Sequence, residues 1–253
     1  MKVPSLVMSG VVAVMLLLAQ GTVAEAAEIT ILSSAVSRSA VSELGPLFER
    51  KADHKVVIQF ANNPIVKKQV EEGVRFDVVI IEPDMLDDLI RQGKVAAGTR
   101  VDLARVGMAL LAPTGVPKPD ISTIDAFKGA LRNASSIGYV ADGHSGTVFL
   151  RTLDRIGLAE ELKPKLKPLI GRPCAVAVPN REVGLCAAPT STPAAGVEIV
   201  GRFPEEIQTY VVISAGLAAA SESDAAKSLI KFLASPEAAS VFKAKGYQLI
   251  PRR

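Results

Sequence analysis

The stretch Ile29-Thr30-Ile31-Leu32-Ser33-Ser34-Ala35-Val36-Ser37-Arg38-Ser39-Ala40 decides how this chain is read. Its first four residues are β-branched or apolar and predict a strand. Ser33, Ser34 and Ala35 are small and suit a tight turn in which backbone comes close to something else. Ala40, Val41, Leu44, Leu47 and Phe48 then recur at helical spacing and predict a helix over 39–50. A strand passing through a small turn into a helix N-terminus is a place for an anion. The first helical N–H groups have no intrahelical partner there, and the helix dipole adds partial positive charge. Ser33, Ser34 and Ser37 have two readings at this turn, as donors to a ligand or as caps of the helix.

Working outward, Gly45-Pro46 is expected to kink or split that first helix, since proline cannot donate to the carbonyl four residues back. Residues 56–60 predict a second strand. Asn62-Asn63-Pro64 then starts a helix, with Asn63 as cap and Pro64 at the first helical position, and Gly73 stops it. Asn63 is also a candidate ligand donor through its amide. The run Phe76-Asp77-Val78-Val79-Ile80-Ile81 is continuous and apolar, as for a strand buried on both faces of a parallel sheet. A helix over 85–92 and a strand over 106–112 follow. The alternation defines an α/β chain with a mostly parallel sheet.

The Pro- and Gly-rich segment 113–120 marks a change of domain. Ser122 is read as the cap of the next helix, with Asp125 at its third position. A strand over 137–140 leads into Asp142-Gly143-His144-Ser145-Gly146 and a helix over 147–156, which repeats the opening design. Two such turns, one in each half, can close on one ligand from opposite sides, making Ser145 and Gly146 candidate site residues. Strands follow at 183–187 and 197–200. Tyr210–Ser214 returns the chain to the first domain, and helices over 223–234 and 236–245 cover it. The expected division is 27–110 with 208–253 as one lobe and 111–207 as the other.

Residues 1–26 read as an export signal, with Lys2 before an apolar run and Ala24-Glu25-Ala26 as a small-x-small cleavage pattern. The run is shorter than the roughly 20 residues that span a bilayer. The mature chain, about 225 residues, is long enough for one large or two modest cores, and is expected to be periplasmic and monomeric. The net charge of +3 and the 4% aromatic content, with no Trp, argue against nucleic acid and against a sugar stacked on rings. Cys174 and Cys186 are the only cysteines. In an oxidising compartment they form either a disulfide across a short loop or two small buried residues.

No nucleophile elbow, phosphate loop or dinucleotide fingerprint is present, and no enzyme is expected. Asp77 and Glu82 flank a strand end, where carboxylates either do acid–base work or cap an edge. His144 either faces a cleft or lies on an exposed loop. The two histidines are far apart, with no Cys or carboxylate at ligand spacing, so neither a metal nor a cofactor is expected.

The order of these motifs resembles the periplasmic molybdate-binding family of the type II solute-binding fold. The matching pieces are 29–39, Phe60-Ala61-Asn62-Asn63-Pro64 before Lys68-Gln69, Phe76-Asp77-Val78-Val79-Ile80, the Gly146 helix with Ile156-Gly157-Leu158, Phe203-Pro204-Glu205, and Phe232-Leu233-Ala234-Ser235-Pro236-Glu237-Ala238-Ala239. The resemblance implies two α/β lobes joined by two crossover segments, a small anion in the cleft between them, and delivery to an ABC permease in the inner membrane. An exported sensor or scavenger of a small organic anion is the alternative. The family's first ligand serine falls on Val36, with Ser34 and Ser37 as neighbours able to take its place. Its second serine falls on Asn63, its tyrosine near Ala187, and its backbone donors on Ser145 and Gly146.

Overall fold

A computed structural model describes residues 27–191 and 195–250; the expected export signal lies outside them. In chain order the elements are β1 (Glu28–Ser34), α1 (Arg38–Ala52), β2 (Lys55–Ala61), α2 (Asn63–Glu71), β3 (Val78–Ile81), α3 (Pro83–Arg91), β4 (Val101–Pro113), α4 (Ile124–Asn133) and β5 (Ile137–Val140). There follow α5 (His144–Arg155), α6 (Ala159–Leu162), β6 (Leu166–Leu169), α7 (Cys174–Ala177), β7 (Leu185–Pro189), β8 (Val197–Arg202), β9 (Tyr210–Leu217), α8 (Asp224–Leu233) and α9 (Pro236–Ala244). No helix among the described residues is long and apolar enough to cross a membrane.

The strands lie in the order β2-β1-β3-β9-β4-β7-β5-β6, with β8 also on β4. β1 pairs in parallel with β2 and β3, and β5 in parallel with β6 and β7. Every antiparallel pairing involves β4 or β9, the strands that cross between the lobes. The result is a mixed α/β fold of two lobes whose ladders are parallel away from the crossover.

Each lobe has its own core. Ile29, Ile31, Val78 and Ile80 pack with Val41, Leu44 and Phe48 of α1 and with Leu229 and Phe242 of α8 and α9. Met108, Leu110, Phe127, Ile137, Phe149, Leu153 and Phe203 make the second core. All four residues of β3 are fully buried. At about 1.5–3 kcal/mol per large apolar side chain, this explains why that run admits no polar alternation.

Several boundaries differ from the sequence reading. α1 runs unbroken through Pro46 rather than splitting there. Its apolar face is anchored on both sides of the proline, and that burial outweighs the roughly 3 kcal/mol an interior proline costs. The N-cap of α2 is Asn62, which puts Asn63 first and Pro64 second in the helix. Neither asparagine caps the helix through its side chain; each amide points elsewhere instead, Asn62 Nδ2 donating to Asp142 O at 3.4 Å and Asn63 Nδ2 donating to Glu82.

Thr123, not Ser122, caps α4, its Oγ1 accepting from Ala126 N at 3.1 Å, so Asp125 is at the second position. α5 starts at His144 rather than Thr147, because the Gly143 carbonyl already accepts from Gly146 N and Thr147 N. β4 is 13 residues long and begins at Val101. Asp102 and Arg105 hid its first half. Arg100 and Ser214 satisfy Asp102, while Arg105 bonds Gln248 and lies over the Tyr210 ring.

Candidate functional site

A cleft of about 620 Å³ opens where β1, β2, β5 and β7 end at their carboxyl sides, bordered by Ser34, Ala61, Val140 and Pro189 among others. Parallel α/β sheets place ligands at such strand ends, where the following helices begin.

On the first wall the turn after β1 is stapled from within. Residues 35–37 form one 3-10 turn, capped by Ser34 Oγ, which accepts from Val36 N at 3.3 Å. Ser37 Oγ donates to Ser34 O at 2.8 Å and lies 2.6 Å from Ser33 Oγ. Ser37 is fully buried and does not border the cleft. Ser34 does border it, and a hydroxyl that accepts one bond keeps its own hydrogen to donate.

Behind this turn, Tyr247 Oη donates to Val36 O at 2.5 Å and lies 3.0 Å from Ser39 Oγ. Ser191 Oγ donates to the same carbonyl at 3.4 Å. Burial pushes the Tyr247 hydroxyl above its usual range, against the lowering effect of Ser191 and Ser39. Ser39 and Ser191 border the cleft. Ala187, on which the family tyrosine falls, is fully buried in β7.

On the second wall, α5 presents its N-terminus. Ser145 is 6% exposed and borders the cleft. Gly146 lies behind it, with its N–H already given to Gly143 O at 3.1 Å. A Cβ at Gly146 would meet Val140 O at 2.0 Å, so only glycine lets α5 rest on the end of β5. Of the five residues singled out as ligand contacts, Ser34, Asn63 and Ser145 are brought together, while Ser37 and Gly146 are used to build the walls.

Three side chains link the two walls. Glu82, just before α3, is 12% exposed at its side chain. It accepts from Asn63 Nδ2 at Oε1 and stands 2.9 Å from His144 Nδ1 at Oε2. The other amide atom, Asn63 Oδ1, is buried with no partner among the described residues. Asp142 Oδ1 is likewise unpartnered, while its Oδ2 accepts from Gly171 N at 3.0 Å. His144 is therefore neither an exposed loop residue nor isolated.

Positive charge comes from Arg38, stacked 4.3 Å over the Phe60 ring, and from Arg172 on the rim, which pairs with Glu182. Cys174 and Cys186 are joined in a disulfide with Cα atoms 5.9 Å apart, tying α7 at the rim to β7. Ser39, Ser191 and Arg172 carry no motif. Their position after a turn or a strand end is the signal that marks them.

The arrangement offers hydroxyls, a helix N-terminus and two guanidinium groups to an anion, with a carboxylate–imidazole pair beside them. No group of three or more His, Cys, Asp or Glu side chains that could hold a metal ion is found among the described residues. Fold and cleft together have the form of a two-lobed binding protein, with the candidate site at the strand ends between the lobes.

The chain belongs to the bacterial extracellular solute-binding protein family, whose model matches residues 29–248. It is 31% identical over 232 residues to an aconitate isomerase of a Pseudomonas species, a match covering 88% of each chain. It is 23% identical over 239 residues to the Escherichia coli K12 molybdate-binding protein ModA, covering 91% of this chain and 93% of that one. The solved Azotobacter vinelandii periplasmic molybdate-binding protein superposes with a TM-score of 0.74 at 18% identity, over 88% of this chain and all of that one. The resemblance to the molybdate-binding proteins read from the sequence holds over nearly the whole described chain.

Proposed function

We propose that this protein is the periplasmic binding component of an ABC importer, exported by residues 1–26 and acting as a monomer. It closes lobes 27–110 with 208–253 and 111–207 over a small carboxylate-bearing anion and presents the closed form to a permease. Closure occurs by hinge motion where β4 and β9 cross between the lobes.

The observation that carries the organic-anion reading is the inward turn of Ser37. A bare tetrahedral oxyanion, once buried, needs donors around all its oxygens. Here Ser37 is committed to Ser33 and Ser34, Ala187 offers no hydroxyl, and Asn63 donates to Glu82. Ser34, Ser39, Ser191, Arg38 and the start of α5 suit carboxylates spread over a longer molecule in a cleft of about 620 Å³. The similarity to a protein named aconitate isomerase points the same way and makes a tricarboxylate the first ligand to try. Molybdate or tungstate is the second reading, favoured by the similarity to ModA along the chain.

Isothermal titration of the chain from Ala27 with cis-aconitate, trans-aconitate, molybdate, tungstate and sulfate separates these readings. One-to-one binding of an aconitate, weakened in Ser34→Ala and Arg38→Ala, is the expected result. Binding of molybdate and tungstate alone would replace the carboxylate reading with the second one.

A further inference from the structure

The geometry points to Glu82 and His144 as an acid–base pair that moves a proton between carbons of a bound unsaturated carboxylate, which makes this chain an isomerase as well as a binding protein. The inference rests on the reading that the cleft takes a carboxylate.

A carboxylate only accepts hydrogen bonds, so the 2.9 Å contact puts a hydrogen on His144 Nδ1, and in the neutral ring it is then Nε2 that carries the lone pair. His144 borders the cleft and Glu82 does not. Nδ1 is therefore spent on the Glu82 carboxylate, and Nε2 is the ring nitrogen left for a ligand. Asn63 holds Glu82 from the other side, so the carboxylate is fixed at both oxygens. This is the division of labour of a positioned imidazole base: a carboxylate held in place sets its tautomer and stabilises the imidazolium that forms. A binding protein for an inert anion has no need of it.

The step conserves atoms and electrons. His144 Nε2 takes a proton from a methylene carbon that lies between a carboxylate and a carbon–carbon double bond. The C–H electron pair becomes the new π bond, and the old π pair moves to the far carbon of the three-carbon unit. The developing charge spreads onto the carboxylates, which Arg38, Ser34 and the N-terminus of α5 are placed to hold. The imidazolium returns its proton to the far carbon. No redox partner or leaving group takes part, and the double bond has shifted by one position. His144 is the catalytic residue and Glu82 the positioning residue.

The test is incubation of the chain from Ala27 with trans-aconitate, and separately cis-aconitate, in D₂O, followed by proton NMR, with titration of both acids alongside. Interconversion, or deuterium entering the methylene and vinyl positions, is expected. His144→Gln is expected to lower the rate by at least ~100-fold. Glu82→Gln can donate to Nδ1 and so favours the wrong tautomer. It is expected to lower kcat by a similar factor with half-saturation and melting temperature little changed, a split that a merely structural role would not give. Binding of either acid without conversion or exchange would overturn the proposal and leave the binding reading standing. The same holds if both variants turn over at the parent rate. Failure to bind either acid would remove both readings.

Discussion

Gly146→Ala is the perturbation whose outcome the geometry constrains most tightly. The added Cβ would stand 2.0 Å from Val140 O and 2.8 Å from Val140 C, where ordinary contact begins at 3.4 Å. The obstacle is backbone, and Gly143 N, at 3.1 Å, holds the same carbonyl in place. No side chain can swing aside, so the start of α5 must lift off β5 by more than an ångström. Overpacking of this kind costs about 1–3 kcal/mol, and a backbone obstacle puts the cost near the upper end.

In a chain of this size that lowers the melting temperature by about 6–12 °C, at 2–4 °C per kcal/mol. Calorimetry of the variant reads the loss, and titration reads the accompanying drop in ligand affinity as Ser145 and His144 shift. Gly129→Ala on α4 is the control, since a Cβ there meets nothing within 4 Å. It is expected to stabilise by roughly 0.5–1 kcal/mol through lower entropy of the unfolded chain. If Gly146→Ala melts as hot as the parent and binds as tightly, the close approach of α5 to β5 is wrong and the reasoning fails with it.

Two further outcomes follow from other contacts. Reducing the Cys174–Cys186 bridge, whose sequence separation is 12, should cost about 3 kcal/mol by the loop-entropy relation and leave Cys174→Ala/Cys186→Ala insensitive to reductant in a thermal melt. Tyr247, whose hydroxyl burial holds above its usual range, contributes stability that is complete below the unfolded tyrosine range near pH ~10 and lost as pH rises through the folded value. Chemical denaturation across alkaline pH should show that loss in the parent and less of it in Tyr247→Phe, which should also cost about 1 kcal/mol at neutral pH.

Much of this was legible from local pattern. The strand, small turn and helix start at 29–40 and again at 137–146 predicted the two walls of the cleft, because small residues and apolar alternation act within a few positions. What failed was phase and partnership. The single 3-10 turn at 35–37 rotates the chain before α1 begins, so Ser37 faces inward and Ser39 takes the cleft side. One residue of shift at α2 carried Asn63 from cap to buried partner of Glu82. The Glu82–His144 contact joins residues 62 positions apart, whose meeting depends on the two lobes coming together. No spacing rule in the sequence encodes that meeting.

The position of β9 between β3 and β4 has a consequence for how the chain reaches its folded form. β1 and β3, near the start of the chain, share one core with Val211, Ile213, Ala215 and Leu217 of β9 and with the helices that follow. During synthesis the first lobe therefore lacks one of its interior strands until about four-fifths of the chain has been made. Contacts this distant in sequence are slow to form. The first lobe thus completes its core late, which suits the export proposed above, since a translocation channel takes an unfolded chain.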